Sequence, residues 1–397
     1  QGKPLTEAER EVRLSAEIID FLAEEAKRLA ARGVPPRTPG VASQTVMRVP
    51  VGPVAAYSPW NFPCNLPARK LGGALAAGCS VVLKPDERTP SAAVELVRCF
   101  VDAGLPDGVI NVVTGAGAVG AQLVQHPIVQ KIAFTGSVGT GIRIGEQAAR
   151  QMKRTTLELG GSAPCIVCAD ADLDMAVKGA LRRAFSHTGQ ICISVNRIFV
   201  HESIFDAYAE RFAAAARALR VTPDGLKEPD ADMGPLINKA GAIKTQQHVE
   251  DALTHGARVL AGGDAPVGDE YDPGGYFYNA TVLTDVTPDM RVMHEETFGP
   301  IAPLASFRTL EEAVALANGT PYGLASYVYT ADLNSAFYLA RTLRSGGIGI
   351  NVNDITDIRG PFGGMKMSGI GRELGEPGLG AYLETKHIRM GYQPPRA

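Results

Sequence analysis

Several classes of protein are excluded by what this chain has little of. No apolar run reaches the roughly 18 residues that a membrane-spanning helix requires. Lys and Arg number 39 against 42 Asp and Glu, a net charge of −3, so no basic surplus favours nucleic acid or an anionic membrane surface. Cysteine is sparse: Cys64, Cys79, Cys99, Cys165, Cys168 and Cys192 are scattered through 397 residues, which suits reduced thiols of a cytoplasmic protein better than a disulfide framework. Cys165 and Cys168 form a C-x-x-C, but no second pair or histidine cluster accompanies them, and 163–169 reads as a buried strand. No HExxH occurs, because His201-Glu202-Ser203-Ile204 runs into Phe205. No metal is therefore expected. Internal repeats and low-complexity segments are also lacking.

What is present describes a globular enzyme-sized chain. Apolar residues make up 45% and charged residues 20%, and 397 residues are too many for one ordinary core, so two or three domains are expected. Its 44 glycines cluster at the ends of apolar runs, where tight turns of an α/β fold belong. The first residue is Gln1 rather than methionine, and an amphipathic helix begins almost at once, with Leu14, Ile18, Phe21, Leu22 and Leu29 on one face and Gly33 and Pro35-Pro36 ending it. The expectation is that an N-terminal segment is missing, which leaves a targeting peptide open.

From Val54 to Leu159, apolar strands (54–57, 80–83, 109–113, 132–134, 155–159) alternate with helical runs near 66–77, 91–103, 117–125 and 139–152. That rhythm implies a doubly wound parallel sheet covered on both faces, with ligands at the carboxyl ends of its strands. A second α/β unit starts after Gly160: strand 165–167, helix 172–186, strand 197–200 and helix 203–218. Further helices fit 238–255, 310–317 and 332–344, with strands at 326–329 and 348–351, and the Gly/Asp/Pro-rich stretch 262–275 reads as a surface loop. The stretch 41–50 reads as a strand whose open edge calls for a partner, which another subunit can supply.

The candidate chemistry lies where helices and strands meet. Cys192 sits in the turn between a helical run and the strand 197–200, with small neighbours and free backbone amides, the setting a nucleophilic thiolate needs. A half-buried packing cysteine is the rival reading. Trp60, the only tryptophan, precedes a proline-braced Asn61 at the end of a strand, and a rigid amide suits an oxyanion donor. Glu158 lies in an apolar strand, where burial raises a carboxyl pKa toward general-base work; a paired or capping glutamate is the alternative. Lys84 and Glu87 follow another strand, as a lysine and carboxylate for ribose hydroxyls or as two solvated charges. Gly136, Ser137 and Gly141 form a Gly-rich strand-to-helix turn whose amides can face a phosphate. Gly115, Gly117 and Gly120 fit G-x-G-x-x-G, but the acidic residue expected about twenty positions on is missing, so the turn does not read as a pyrophosphate cradle.

Together these motifs resemble the NAD(P)-dependent aldehyde dehydrogenase superfamily over nearly the whole chain, from Gly2 to Lys386. The resemblance rests on Pro59-Trp60-Asn61-Phe62-Pro63, Phe134-Thr135-Gly136-Ser137, Leu157-Glu158-Leu159-Gly160-Gly161, Gly189-Gln190-Ile191-Cys192, Glu295-Glu296-Thr297-Phe298-Gly299-Pro300 and Pro361-Phe362-Gly363-Gly364. It implies that Cys192 attacks the aldehyde, that Asn61 and the Cys192 amide hold the oxyanion, and that Glu158 activates the water that hydrolyses the thioester. It implies NAD as cofactor, favoured over NADP. Lys84 and Glu87 are then on the adenosine ribose, Gly136, Ser137 and Gly141 beside the pyrophosphate, Trp60 near the cofactor, and Glu296 and Phe298 on the nicotinamide ribose. Residues 1–32 and 53–160 are expected as the NAD-binding domain and 161–368 as the catalytic domain. Segments 33–52 and 381–397 are expected as an oligomerisation arm of a homodimer or homotetramer.

Succinate-semialdehyde dehydrogenases resemble this chain at Arg69-Lys70, so Arg69 is expected to hold a carboxylate at the far end of the aldehyde. Their second arginine, six residues before the nucleophile, is Ser186 here, and their extra cysteine two residues after it is Ser194. Two rivals stand beside this reading: an N-terminally truncated, non-catalytic homologue or assembly fragment, and CoA-acylating chemistry, whose practitioners in the family commonly lack the glutamate found here as Glu158.

Overall fold

Three sheets make up the computed structural model, which describes residues 1–272 and 274–392. Pro273 in the 262–275 loop and 393–397 at the end of the expected arm lie outside the described residues.

The first sheet has six strands in the order Gly369–Ile370, Arg154–Glu158, Lys131–Thr135, Val54–Ser58, Val81–Pro85 and Ile110–Val112. All neighbours are parallel except the antiparallel pair of Gly369–Ile370 with Leu157–Glu158. Strands buried on both faces need apolar side chains at every position, and Val54–Ser58 is buried throughout. Strand order reverses at Val54–Ser58, because its successors lie on one side of it and Lys131–Thr135 on the other. A crevice opens beyond the carboxyl end of such a switch strand. Pro59–Asn65 occupies that place.

The second sheet has seven strands, in the order Arg258–Ala261, Thr281–Thr284, Ile301–Phe307, Val195–His201, Ala163–Val167, Ala325–Tyr329 and Gly347–Ile350. Only four residues separate Glu158 from the second sheet: the strand Arg154–Glu158 ends, Gly160 and Gly161 turn, and Ala163 opens the second sheet, paired with Val195. The carboxyl edge of one sheet therefore faces the amino edge of the other. Cys192, just ahead of Val195, is carried into the seam. A side chain at Gly161 would place its Cβ 2.4 Å from the carbonyl oxygen of Cys192, so only glycine permits that approach.

Arg32–Gly33, Val41–Pro50 and Leu383–Gly391 form an antiparallel three-stranded sheet outside both cores. The first helix, Leu5–Ala26, ends one turn earlier than its apolar pattern suggests, and Leu29 packs beyond its end. Ile18 and Leu22 are buried against the helix Asn65–Ala76, worth roughly 1.5–3 kcal/mol each. Absent from the reading of the sequence are the strands Arg258–Ala261, Thr281–Thr284, Ile301–Phe307 and Gly369–Ile370 and the short helices Arg291–His294 and Gly375–Gly380.

Candidate active site

One cleft of about 450 Å³ runs along the seam. Trp60, Asn61, Arg69, Gly136, Ser137, Cys192, Glu296 and Phe298 line it, together with Lys244, Asp354, Thr356 and side chains of the first helix. Lys84, Glu87, Gly141 and Glu158 do not. Lys84 and Glu87 stand at the end of the neighbouring strand, 3.8 Å apart, with Lys84 buried and Glu87 exposed. Gly141 lies under the cleft wall, where a Cβ would meet Leu159 at 2.4 Å. Gly120 packs on Lys84 and Tyr57, and its carbonyl accepts the Tyr57 hydroxyl at 2.9 Å, so the 115–120 turn lies against the strand that carries Lys84.

The turn that carries Cys192 is unusual. His187, Thr188 and Gly189 are three successive left-handed residues, with φ of 49°, 59° and 69°. Left-handed conformation costs a residue other than glycine roughly 1–2 kcal/mol, so neighbours must hold it. The Thr188 hydroxyl donates to Gly234 O at 2.8 Å. The Gln190 amide donates to His187 O and Pro235 O, both at 3.2 Å, and its oxygen accepts the Ile237 N–H. The Asn61 side chain donates to Gln190 O at 3.0 Å, which ties the oxyanion candidate to the same turn. Burial pushes the Cys192 thiol up to about 12; Arg69 opposes that shift, and Glu296 and Glu158 add to it. Burial thus favours the thiol, whereas the turn alone suggests a thiolate.

Glu158 is buried with neither carboxylate oxygen hydrogen-bonded, and burial, then the charge of Glu373, holds its pKa well above the ordinary carboxyl range. It is turned away from the cleft, since a Cβ at Gly363 would lie 2.8 Å from its Oε1. Lys70 and Glu373 stand beside it. The Lys70 ammonium donates to Glu373 Oε1 at 2.5 Å and to the Thr135 hydroxyl at 2.6 Å. Sequence reasoning missed both residues as site members: Lys70 was visible only as the neighbour of Arg69, and no motif marks Glu373, 303 positions away.

Arg69 donates from Nε to Asn65 Oδ1 at 2.9 Å and stacks over Phe362 at 4.7 Å. Its Nη1 is buried without a hydrogen-bond acceptor; the nearest carboxylate oxygen, on Glu373, is 3.9 Å away. Arg183, by contrast, is spent on Asp354 at 2.8 Å and Asn353 O at 2.6 Å. Ser186 also lines the cleft, so the wall offers a hydroxyl where an arginine is expected in semialdehyde enzymes.

The other half of the cleft fits a dinucleotide. Gly136 and Ser137 lead from Lys131–Thr135 into the helix Val138–Ala149, and nothing lies within 4 Å of where a Cβ at Gly139 would stand, so the helix N-terminus is open. Trp60 meets Phe298 edge-to-face at 5.6 Å. Burial raises the Glu296 carboxyl to about 7, while the Gly161 N–H, donating to it at 2.9 Å, and Lys244 pull it down. Cys165 and Cys168 are buried in and just after the strand Ala163–Val167, and desolvation pushes both thiols up, Cys168 to about 11.

A cysteine and an asparagine amide line a cleft between a doubly wound sheet and a second α/β sheet, with a buried glutamate nearby, an arrangement that suits an oxidoreductase. The chain belongs to the aldehyde dehydrogenase family, whose model matches residues 1–388. It is 44% identical over 392 residues to a succinate-semialdehyde dehydrogenase of Escherichia coli K12 named for NADP(+), covering 98% of this chain and 80% of that protein. It is also 44% identical over 389 residues to a glutarate-semialdehyde dehydrogenase of Pseudomonas putida, covering 98% of this chain and 79% of that one. The crystal structure of succinate-semialdehyde dehydrogenase from Burkholderia pseudomallei superposes with a TM-score of 0.95 at 44% identity, over 99% of this chain and 80% of that chain. No helix among the described residues is long and apolar enough to cross a membrane.

Proposed function

We propose that this aldehyde dehydrogenase oxidises a short aldehyde carrying an anionic group at its far end, such as succinate semialdehyde, with NAD preferred over NADP. The observation that carries the substrate class is the buried, unpartnered Nη1 of Arg69 in the cleft that also holds Cys192. A guanidinium donor left without an acceptor in a water-poor site awaits one, and a carboxylate supplies it bidentately. The succinate- and glutarate-semialdehyde relatives are named for substrates of this kind.

In this reading the Cys192 sulfur, once deprotonated, attacks the carbonyl carbon. The Asn61 amide and the Cys192 N–H receive the negative charge that develops on oxygen. A bound nicotinamide cofactor would supply the hydride acceptor, and loss of hydride from the substrate carbon would leave a thioester on Cys192. Glu158 then turns toward the cleft and takes a proton from water, which hydrolyses the thioester to the acid. Lys70 and Glu373 lie where that proton can be handed on from Glu158. The cofactor would be held by the amides at Gly136 and Ser137 over the buried Gly141, by Trp60 and Phe298 as walls, by Glu296 on the inner ribose, and by Lys84 and Glu87 on the outer one. Glu87 favours NAD, because a carboxylate on the ribose diol repels a 2′-phosphate.

Residues 1–32 and 53–160 serve as the cofactor domain and 161–368 as the catalytic domain. The arm formed by 33–52 and the chain after 381 joins subunits of a homo-oligomer. Its strand Leu383–Gly391 has one neighbour among the described strands, and so does Gly347–Ile350, which leaves open edges for pairing. The test of the function is a panel of aldehydes assayed by NADH formation. Succinate semialdehyde is expected to exceed butanal in kcat/KM by at least about tenfold; a preference for butanal refutes the anionic substrate.

A further inference from the structure

The first helix carries carboxylates where an amphipathic helix ordinarily buries apolar side chains. Lys3, just ahead of the helix, and Glu7 and Glu11 within it recur every four residues and face the catalytic segments. Glu11 is buried. Its Oε1 accepts the backbone N–H groups of Cys64 at 2.8 Å and Asn65 at 3.1 Å, and its Oε2 receives Lys3 Nζ at 2.6 Å. Those amides open the helix Asn65–Ala76, whose own N-cap residue Cys64 gives no side-chain cap. A carboxylate from another helix therefore caps it, with the favourable sign for a helix N-terminus. The capped residues join Asn61 to Arg69, and Lys3 Nζ lies 4.2 Å from the Phe62 ring between them.

Glu7 acts on the other catalytic segment. Its Oε1 accepts the His187 N–H at 3.2 Å, at the first left-handed residue of the turn that leads to Cys192. The His187 ring is packed between Trp60 and Phe62, at centroid distances of 6.2 and 5.7 Å. Burial raises the Glu7 carboxyl pKa, and Lys3, the His187 N–H, Arg182 and Arg10 offset only part of that shift.

We propose that Glu7 and Glu11 are positioning residues for the reaction. Glu7 fixes the turn that presents Cys192, and Glu11 fixes the segment that presents the Asn61 amide and Arg69. This rests on the roles given above to Cys192 and Asn61. Neither glutamate touches the reacting atoms; each acts through a backbone amide.

Reach and charge are separated by two substitutions at each position. Glu7→Gln keeps the acceptor oxygen in place, while Glu7→Asp keeps the charge but withdraws the oxygen by ~1.5 Å. The readouts are the rate of Cys192 alkylation by iodoacetamide, followed by mass spectrometry, together with kcat, aldehyde KM, cofactor Kd from nicotinamide fluorescence, and melting temperature. Glu7→Asp is expected to slow both alkylation and kcat by about tenfold while KM and cofactor Kd stay within about twofold, and Glu7→Gln is expected to stay within about threefold of wild type throughout. Glu11→Asp is expected to lower kcat/KM by about tenfold with alkylation of Cys192 within about threefold of wild type, since the thiol's turn is untouched, and Glu11→Gln, which keeps the reach but leaves Lys3 without its anion, is expected to fall as far. A Glu7→Asp protein that is alkylated and turns over like wild type overturns the proposal, as does a Glu7→Gln protein as slow as Glu7→Asp. Variants that lose only melting temperature overturn it too. Failure of the underlying site reading looks different: wild-type protein fully alkylated at Cys192 would still make NADH.

Discussion

Replacing Arg69 with alanine separates the proposed carboxylate contact from everything else the arginine does. Its Nε bond to Asn65 at 2.9 Å, its stack on Phe362 and its 3.9 Å approach to Glu373 are present whatever aldehyde is bound. Losing them disturbs Glu158 through Glu373 and removes a cation that favours the Cys192 thiolate, so kcat should fall for every substrate. The unpartnered Nη1 is different, because only a substrate with an anionic tail gives it an acceptor. A hydrogen bond to a charged group contributes roughly 1.5–3 kcal/mol, so kcat/KM for succinate semialdehyde should fall about 10- to 150-fold further than kcat/KM for butanal. Arg69→Lys keeps the charge but not the planar fork, and should recover only part of that difference. Both substrates are followed by NADH formation at saturating cofactor. Equal losses on the two substrates in Arg69→Ala refute the reasoning, even if both losses are large.

Three other outcomes follow from the geometry. Glu158→Gln keeps the side chain's shape but removes the base, so a pre-steady-state burst of NADH should survive while steady turnover collapses; loss of the burst would instead make Glu158 the activator of the thiol. Glu87→Ser should narrow the preference for NAD mainly by lowering KM for NADP, and a wild-type enzyme that already prefers NADP would refute the role of Glu87. His248, buried between Thr297 and Glu295, has its pKa depressed from 6.5 to about 4, chiefly by burial. The unfolded chain thus binds a proton there that the folded one refuses between those values. That term, present in full above about pH 6.5, is lost as pH falls toward 4 and amounts to roughly 3 kcal/mol at most. His248→Gln should flatten the acid side of the melting-temperature profile, and an unchanged slope would assign the acid sensitivity to other groups.

The contacts that were legible in the sequence are those made by neighbours in the chain. Pro59–Pro63 and Gly189–Cys192 announce themselves because a rigid amide and a nucleophile's turn each need a short run of particular residues. The strand Ile301–Phe307 was not legible, although it lies inside the second sheet between Thr281–Thr284 and Val195–His201. Pro303 sits within it, and proline is ordinarily kept out of central strands. Glu373 was hidden for another reason: its partner Lys70 is 303 residues away, and no local pattern encodes such a pairing. Glu11 was passed over because a helix read by its apolar face offers no reason to look for a buried carboxylate. The protonation of Cys192 depends on burial by segments from across the chain, which a turn sequence does not report.

The two-residue strand Gly369–Ile370 has a consequence for how the molecule is made. It covers the flank of Arg154–Glu158, and the Leu159 N–H donates to Ser368 O at 3.0 Å. Until those late residues leave the ribosome, the strand carrying Glu158 is an outermost edge with unpaired amides, during the whole synthesis of the second sheet. A first sheet that folds before Gly369–Ile370 is made thus offers this edge to other nascent copies, and arrival of those residues both closes the edge and covers the strand that carries the glutamate. Stalling translation before residue 369 should therefore yield aggregation-prone chains rather than a soluble half-enzyme, and release past Ile370 should end the hazard.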